Sequence, residues 1–266
     1  MTPRFIRLAA AASFFPLMAS AVPAFAADDS SLWSGWYVGG TLGVTSGNSK
    51  FAMSVAPGNG ASTIGAADVS LINATALSDS NKTGFEGGIE GGYNWHTGGN
   101  WLFGIETEWV ALNVNERATA TYTAPGQINP PITPAPGPAT YTLNQRAKTS
   151  WMWTLRPRVG YVSGPWLFYG TAGVASADLK SQIQFSDNRT PQHVIASDNT
   201  STKTGYAAGL GAGYAFSPTV SMKGEWLYAG FGTVRSTATS SGGFVALTSK
   251  ATIDTNIFRA GLDWRF

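Results

Sequence analysis

From about Ser31 to Phe266 the chain repeats one pattern, in segments of about 10 to 15 residues. Aromatic or aliphatic side chains take alternate positions, with glycine or a charged residue between them. A two-residue period is that of a β-strand, whose side chains point to opposite faces in turn. The pattern predicts strands over Gly35 to Thr45, Gly84 to His96, Trp101 to Val114, Ser150 to Val162, Trp166 to Asp178, Lys203 to Phe216, Thr219 to Thr233 and Thr252 to Phe266. No segment after the N-terminus approaches the ~20 apolar residues of a spanning helix.

The connections fall into two alternating classes. After the second, fourth and sixth segments come tight turns: Thr97 to Asn100, Ser163-Gly164-Pro165, and Ser217-Pro218. After the first, third, fifth and seventh come long stretches rich in Ser, Thr, Asn, Gly, Ala and Pro. An even strand number with this alternation predicts an all-β fold, a closed antiparallel transmembrane β-barrel of eight strands with short periplasmic turns and long extracellular loops. The second long connection, residues 123–140, holds six prolines between Pro125 and Pro138 and favours extended polyproline-like forms. A proline-rich recognition ligand is the sharper alternative, disfavoured because such motifs serve intracellular partners and this loop faces outside.

Strand parity separates two faces. Phe258, Ala260, Leu262, Trp264 and Phe266 share one face of the last strand, with Arg259, Asp263 and Arg265 on the other. The same division sets Glu86 and Glu90 against Phe85, Ile89, Tyr93 and Trp95, and Glu106 and Glu108 against Trp101, Phe103, Ile105 and Trp109. It sets Arg156 and Arg158 against Trp151, Trp153 and Leu155, and Lys223 and Glu225 against Val220, Met222, Trp226 and Tyr228. Alternation alone leaves open which face is inside, because a soluble barrel buries its apolar face. Glycine decides it: Gly39, Gly43, Gly92, Gly104, Gly211 and Gly261 lie among the charges, where small residues make room in a narrow lumen for a few long side chains. The aromatic pairs Trp36 and Tyr37, Tyr93 and Trp95, Trp101 and Phe103, Trp166 and Phe168, Tyr214 and Phe216, and Trp264 and Phe266 flank the short turns and the termini, as an interfacial girdle would. The lumen then holds Glu86, Glu90, Glu106, Glu108, Glu225 and Asp263 with Arg156, Arg158, Lys223 and Arg259, expected to neutralise one another and plug the barrel. Pro157 lies within the fourth strand and requires a bulge or a locally open ladder.

Composition narrows the function classes. Arg4 and Arg7 precede an apolar stretch ending in Ala24-Phe25-Ala26, which reads as a cleaved Sec signal over residues 1–26 and leaves 27–266 as one barrel domain. Removing those two arginines from the 17 basic residues leaves 15, against 15 acidic ones, so no basic surplus argues for nucleic acid. Cysteine is absent, which suits passage through an oxidising periplasm and removes thiolate chemistry. Charged residues make up 12% of the chain, about half the ~25% typical of soluble domains. His96 and His193 have no metal-ligand spacing around them, and Glu106 beside Glu108, with arginines opposite, reads as lumen filling rather than acid–base catalysis. The reading is therefore no enzyme, no metal and no cofactor.

The segments WSGWYVGGTLG, GGIEGGYNW, WLFGIETEW, RPRVGYVSGPWLFYGTAGVA, GLGAGYAF and NIFRAGLDWRF cover nearly all the chain outside its long loops. Through them it resembles the small eight-stranded outer-membrane barrels related to the OmpA transmembrane domain, especially the alphaproteobacterial surface-antigen porin-family proteins. That resemblance implies the outer membrane of a Gram-negative cell, and a component that supports envelope integrity and displays its loops as a surface antigen. It also implies outer-membrane lipid and lipopolysaccharide as partners, periplasmic chaperones and the barrel assembly machinery during biogenesis, and an extracellular ligand or host surface. Phe266 and Trp264 look like the C-terminal signal read during assembly. A narrow porin-like channel and haem or host-ligand binding are the alternatives; a hydrolase built around His193 is the competing enzymatic reading.

Overall fold

In the computed structural model, which describes residues 32–57, 69–70, 73–74, 80–97, 99–124, 139–188, 194–239 and 245–266, the chain forms eight strands. They are β1 (Gly35–Pro57), β2 (Ser80–His96), β3 (Trp101–Ala124), β4 (Ala139–Ser163), β5 (Trp166–Asp187), β6 (Val194–Ala215), β7 (Val220–Thr239) and β8 (Val245–Arg265). Each pairs antiparallel with its sequence neighbour, and β1 closes on β8 from Tyr37↔Arg265 to Pro57↔Val245. The short turns lie at the end where the chain enters and leaves the barrel. Gly99 and Gly164 adopt the positive φ values, 69° and 57°, that such tight reversals need. The N–H of Phe266 donates to the Trp36 carbonyl at 3.1 Å, tying the last residue to the first strand.

Toward the short turns the sidedness expected from glycine holds. Leu42, Phe85, Ile89, Leu210 and Leu262 expose 63 to 80% of their surface on the outer wall, while Glu106 and Arg156 face inward at 1% or less. The glycines act as sockets: a Cβ on Gly92 would collide with the Tyr37 ring, and one on Gly211 with the Tyr169 ring. The open ladder at Pro157 is also found. Pairing of β4 with β5 skips from Leu155↔Val174 to Arg158↔Thr171, and the Thr171 hydroxyl donates to the stranded Pro157 carbonyl at 3.0 Å.

The strands run well past their expected far ends, and there the polarity reverses. Phe51, Met53, Val55, Tyr141, Leu143, Leu179, Ile183, Phe185 and Leu247 turn inward and join one apolar core with Val110, Met152 and Ile257. The walls at this level carry Thr142, Asn144, Gln182 and Thr237. Beyond the hydrocarbon there is water outside, so the ordinary rule of burying apolar faces applies again. Gly35 to Thr45 as an end of β1 and Ser150 as a start of β4 are thus corrected by strands reaching Pro57 and beginning at Ala139.

Pairing also changes at this height. It stops at Ser49↔Ser80 between β1 and β2, at Glu86↔Leu112 between β2 and β3, and at Tyr206↔Gly230 between β6 and β7. Above these points β7, β8 and β1 form one sheet and β3 to β6 another, with the apolar core between them. Gln145 of one sheet donates to the Ser249 hydroxyl of the other at 2.5 Å. Irregular register at Ala111/Val114, Lys148/Met152 and Gly230/Thr233 marks the belt where barrel becomes sandwich. On β4 the inward residues change from Ala147 and Thr149 to Met152 and Thr154, so the bulge swaps the faces. Asp178 Oδ1 accepts the N–H groups of Ser150 and Trp151 at 2.7 and 2.9 Å, satisfying donors that the bulge removes from the ladder. Asp178→Ala is expected to lower unfolding stability by about 1–3 kcal/mol. Denaturant titration of the detergent-refolded protein measures it; an unchanged midpoint means those N–H groups have another partner.

Candidate functional site

Among the described residues, chemistry-bearing side chains converge in the lumen of the barrel half nearer the short turns. Carboxylates enter from β2, β3 and β7, and cations from β4, β7 and β8. Arg156 donates from Nη2 to Glu106 at 2.5 Å and Glu108 at 3.2 Å, and from Nη1 to Glu225 at 2.8 Å. Arg259 spans Glu225 at 2.8 Å and Glu108. Lys223 Nζ donates to Glu90 at 2.6 Å and Glu106 at 2.8 Å, and lies 4.0 Å from Glu225. Arg158 reaches Glu106 at 3.2 Å and gives two donors to Asn94 Oδ1, at 2.7 and 2.9 Å. Four carboxylates meet four cations, and each ion-paired side chain is at most 3% exposed.

The other two expected members stand differently. Glu86 and Asp263 do face the lumen, but among the described residues neither makes an ion pair. Both Glu86 oxygens and Asp263 Oδ1 are buried without a hydrogen-bond partner. Glu86 lies against Gly43 beside the Arg259 stem, and Asp263 lies beside Glu90 over Gly39. Eight of the ten residues therefore form the network, and two border it.

Parity reading also missed residues the network depends on. Tyr37, which its place beside Trp36 assigns to the interfacial girdle, points inward and donates to Glu106 at 2.8 Å. Its position, two before Gly39 on the lumen face, carried that information. Tyr169 donates to Glu225 at 2.8 Å and Thr41 to Glu108 at 3.1 Å. The Arg158 guanidinium stacks between the Tyr37 and Tyr169 rings, 4.7 and 5.3 Å from their centroids. Below the ions, Leu32, Trp33, Leu102, Val162, Leu167, Tyr169 and Ala215 form an apolar floor. Trp33 precedes β1 and had no assigned role. Its carbonyl accepts from Asn94 at 2.9 Å, and the Arg265 guanidinium, which also donates to the Leu32 carbonyl, lies 5.0 Å over its ring.

Glu90, Glu106 and Glu108 are close enough together to hold a metal ion. Lys223, Arg156 and Arg259 already occupy the space between them, so the set reads as ion-paired. His96 lies at the β2 end, and His193 falls outside the described residues. The prolines of the second long connection also lie outside them, although Thr123↔Thr140 and Ala124↔Ala139 extend β3 and β4 up to that segment. Trp264 and Phe266 face outward, 60% and 74% exposed, in a belt of ring pairs such as Trp36–Tyr93 and Trp166–Tyr214, both 5.0 Å between centroids.

A closed antiparallel barrel with an apolar outer belt, interfacial ring pairs and an ion-filled lumen is an outer-membrane β-barrel. The chain belongs to the outer membrane protein beta-barrel domain family, which matches residues 8–266. It is 28% identical over 245 residues to the 31 kDa outer-membrane immunogenic protein of Brucella melitensis, covering 92% of this chain and 88% of that protein. It is 28% identical over 151 residues to a 22 kDa outer membrane protein of Rhizobium leguminosarum, covering 57% and 54%. Among solved structures, OprG of Pseudomonas aeruginosa aligns with 12% identity over 88% of this chain and 97% of its own, at a TM-score of 0.45. Neisserial surface protein A aligns with 13% identity over 88% and 98%, at 0.36.

Arg156 touches three carboxylates, so its loss leaves buried negative charge without compensation. Arg156→Met is expected to destabilise the barrel by about 3–5 kcal/mol. The readout is the temperature at which the folded, fast-migrating gel species is lost. An unchanged temperature would show that the network does not stabilise the fold.

Proposed function

We propose that this protein is a plugged, non-conducting outer-membrane barrel that reinforces the envelope and presents its outer sheets and loops as an accessible cell surface. The stacking of three closed layers in the lumen carries this reading. The apolar floor around Trp33 and Leu102 is followed by the ion network, and that by the apolar core around Met152 and Ile257. A hydrated ion would have to pass two layers built mainly of apolar side chains, at the cost of much of its hydration. Eight strands leave an interior just wide enough for side chains to fill.

Surface display accords with kinship to a protein named as immunogenic, and with a large part of this barrel projecting past its lipid-facing belt. Hydrolysis is disfavoured because the four convergent carboxylates are each held by cations and, with the Tyr37, Thr41 and Tyr169 hydroxyls bonded to them, lie buried between apolar layers away from any substrate. The outward, strand-terminal Trp264 and Phe266 are proposed as the element read by the assembly machinery, with the N-terminal signal directing export.

The purified mature protein is expected to give no reproducible ohmic steps in planar bilayers, and to fractionate with the outer membrane as a heat-modifiable species. Regular steps that change when Glu106 and Arg156 are jointly neutralised would replace this reading with a narrow diffusion channel.

A further inference from the structure

Almost every described basic residue outside the lumen lies on the far half of the barrel, on its side walls. Lys50, Arg117, Lys180, Arg235 and Lys250 are exposed, and Arg146 and Lys148 are half-exposed, all on the outward face. Several oppose one another directly across strand pairs: Arg117↔Arg146, Lys148↔Lys180 and Arg235↔Lys250. Lys50, paired with Thr252, is one outward position from Lys250 on the adjoining strand. Like charges opposite each other destabilise a sheet unless something between them is negative. Among the described residues no carboxylate forms an ion pair with any of these cations. Arg146 is braced by Asn115 at 2.7 Å, and the outward Asp198 bonds to Gln182 at 3.3 Å. At the opposite end Arg265 is buried, and among the described residues no exposed Lys or Arg lies on the wall there.

Height along the wall identifies what these cations meet. The lipid-facing apolar run ends at Val44 on β1, Trp109 on β3, Val174 on β5 and Phe258 on β8. The cations follow about six to eight residues later, which at ~3.3 Å per residue and a strand tilt near 40° places them about 15–20 Å above the hydrocarbon edge. A phospholipid headgroup layer is only about 5–8 Å thick. A side wall at this height is flanked by lateral membrane neighbours, whereas a ligand arriving from outside meets the loop tips first.

We propose that this cationic girdle binds the anionic sugar core of outer-leaflet glycolipid, with phosphate or carboxylate groups of the lipopolysaccharide core seated between the opposed Arg and Lys pairs. This rests on the outer-membrane placement proposed above. Guanidinium and ammonium groups on flat, Thr- and Asn-rich sheets can contact several such groups at once, and the lipid's neighbours supply many copies. The girdle thereby lashes the projecting sandwich to the surrounding leaflet and relieves the repulsion its own pairs create.

The test uses the mature chain with Lys50, Arg117, Arg146, Lys148, Lys180, Arg235 and Lys250 all changed to Gln, and an Arg146→Lys variant that keeps the charge. Binding is measured against core-bearing rough lipopolysaccharide, lipid A lacking the core, phosphatidylglycerol vesicles and heparin. The wild type and Arg146→Lys are expected to bind the core-bearing form about tenfold more tightly than lipid A or phosphatidylglycerol, and the neutralised chain to lose that preference. Three results would overturn the proposal: an undiminished preference in the neutralised chain, equal wild-type binding to lipid A or phosphatidylglycerol, or charge-dependent binding to heparin alone. Heat-modifiable migration shows that each variant is folded. Failure of the wild type to fractionate with the outer membrane would instead count against the placement itself.

Discussion

Glu106 receives Arg156, Arg158, Lys223 and the Tyr37 hydroxyl, groups carried by β4, β7 and β1, while Glu225 on β7 receives Arg156, Arg259 and Tyr169 from β4, β8 and β5. Glu106–Arg156 and Glu225–Arg259 pair across neighbouring strands, but Arg156–Glu225 and Lys223–Glu106 join strands on opposite sides of the lumen and exist only when the barrel is closed. Each unpaired charge in that space would be costly, so the half-built network is disfavoured and the closed one holds the circle together. The remaining lumen features follow from making room for it. Gly39 and Gly43 let Asp263, Glu90, Glu86 and Arg259 approach the backbone, and Gly92 and Gly211 admit the two tyrosine rings. Hydrophobic layers above and below keep water from competing for the same donors.

A second constraint acts on the outside. Each strand passes from hydrocarbon into water, and its two faces exchange chemistry at that level. β1 does this without changing phase: Tyr37, Thr41, Thr45, Phe51, Met53 and Val55 all face inward, polar first and apolar later. β4 and β7 change phase through their bulges, and β7 uses Gly232, with φ of 68°, as the residue that permits the turn-out. The departure of β7 coincides with the end of its pairing to β6, so this irregularity also opens the barrel into two sheets.

The membrane half was legible because two independent signals agree there. The apolar/polar period gives parity, and glycines among the charges give sidedness; together they place Glu106, Glu108, Arg156, Lys223, Glu225 and Arg259 in one lumen before any pairing is known. What they do not give is which carboxylate each cation reaches, since that depends on the stagger between strands. Glu86 and Asp263 share the parity of their neighbours yet lie off the cations' reach. The far half was illegible for a different reason. Alternation continues through Phe51 and Leu143, but the rule that apolar means lipid-facing reverses there, and on β4 and β7 the bulges break the count that parity depends on. Trp33 escaped because it precedes the first alternating segment, and a single residue has no period.

The two halves divide the chain's charge between two tasks. Inside, Arg156, Arg158, Lys223 and Arg259 are consumed by carboxylates that burial forces upon them, and they present no charge to anything beyond the lumen. Outside, Lys50, Arg117, Arg146, Lys148, Lys180, Arg235 and Lys250 form no ion pair among the described residues, although Asp254 and Asp198 share the outward face one position from Lys50 and Lys180. Pairing of charge is thus concentrated within the lumen, where four carboxylates meet four cations, and the described projecting walls carry a local positive excess. A barrel sealed along its axis has little use for that field in conduction. Its geometry directs the field sideways, toward the sugar layer that the proposed glycolipid contact would occupy.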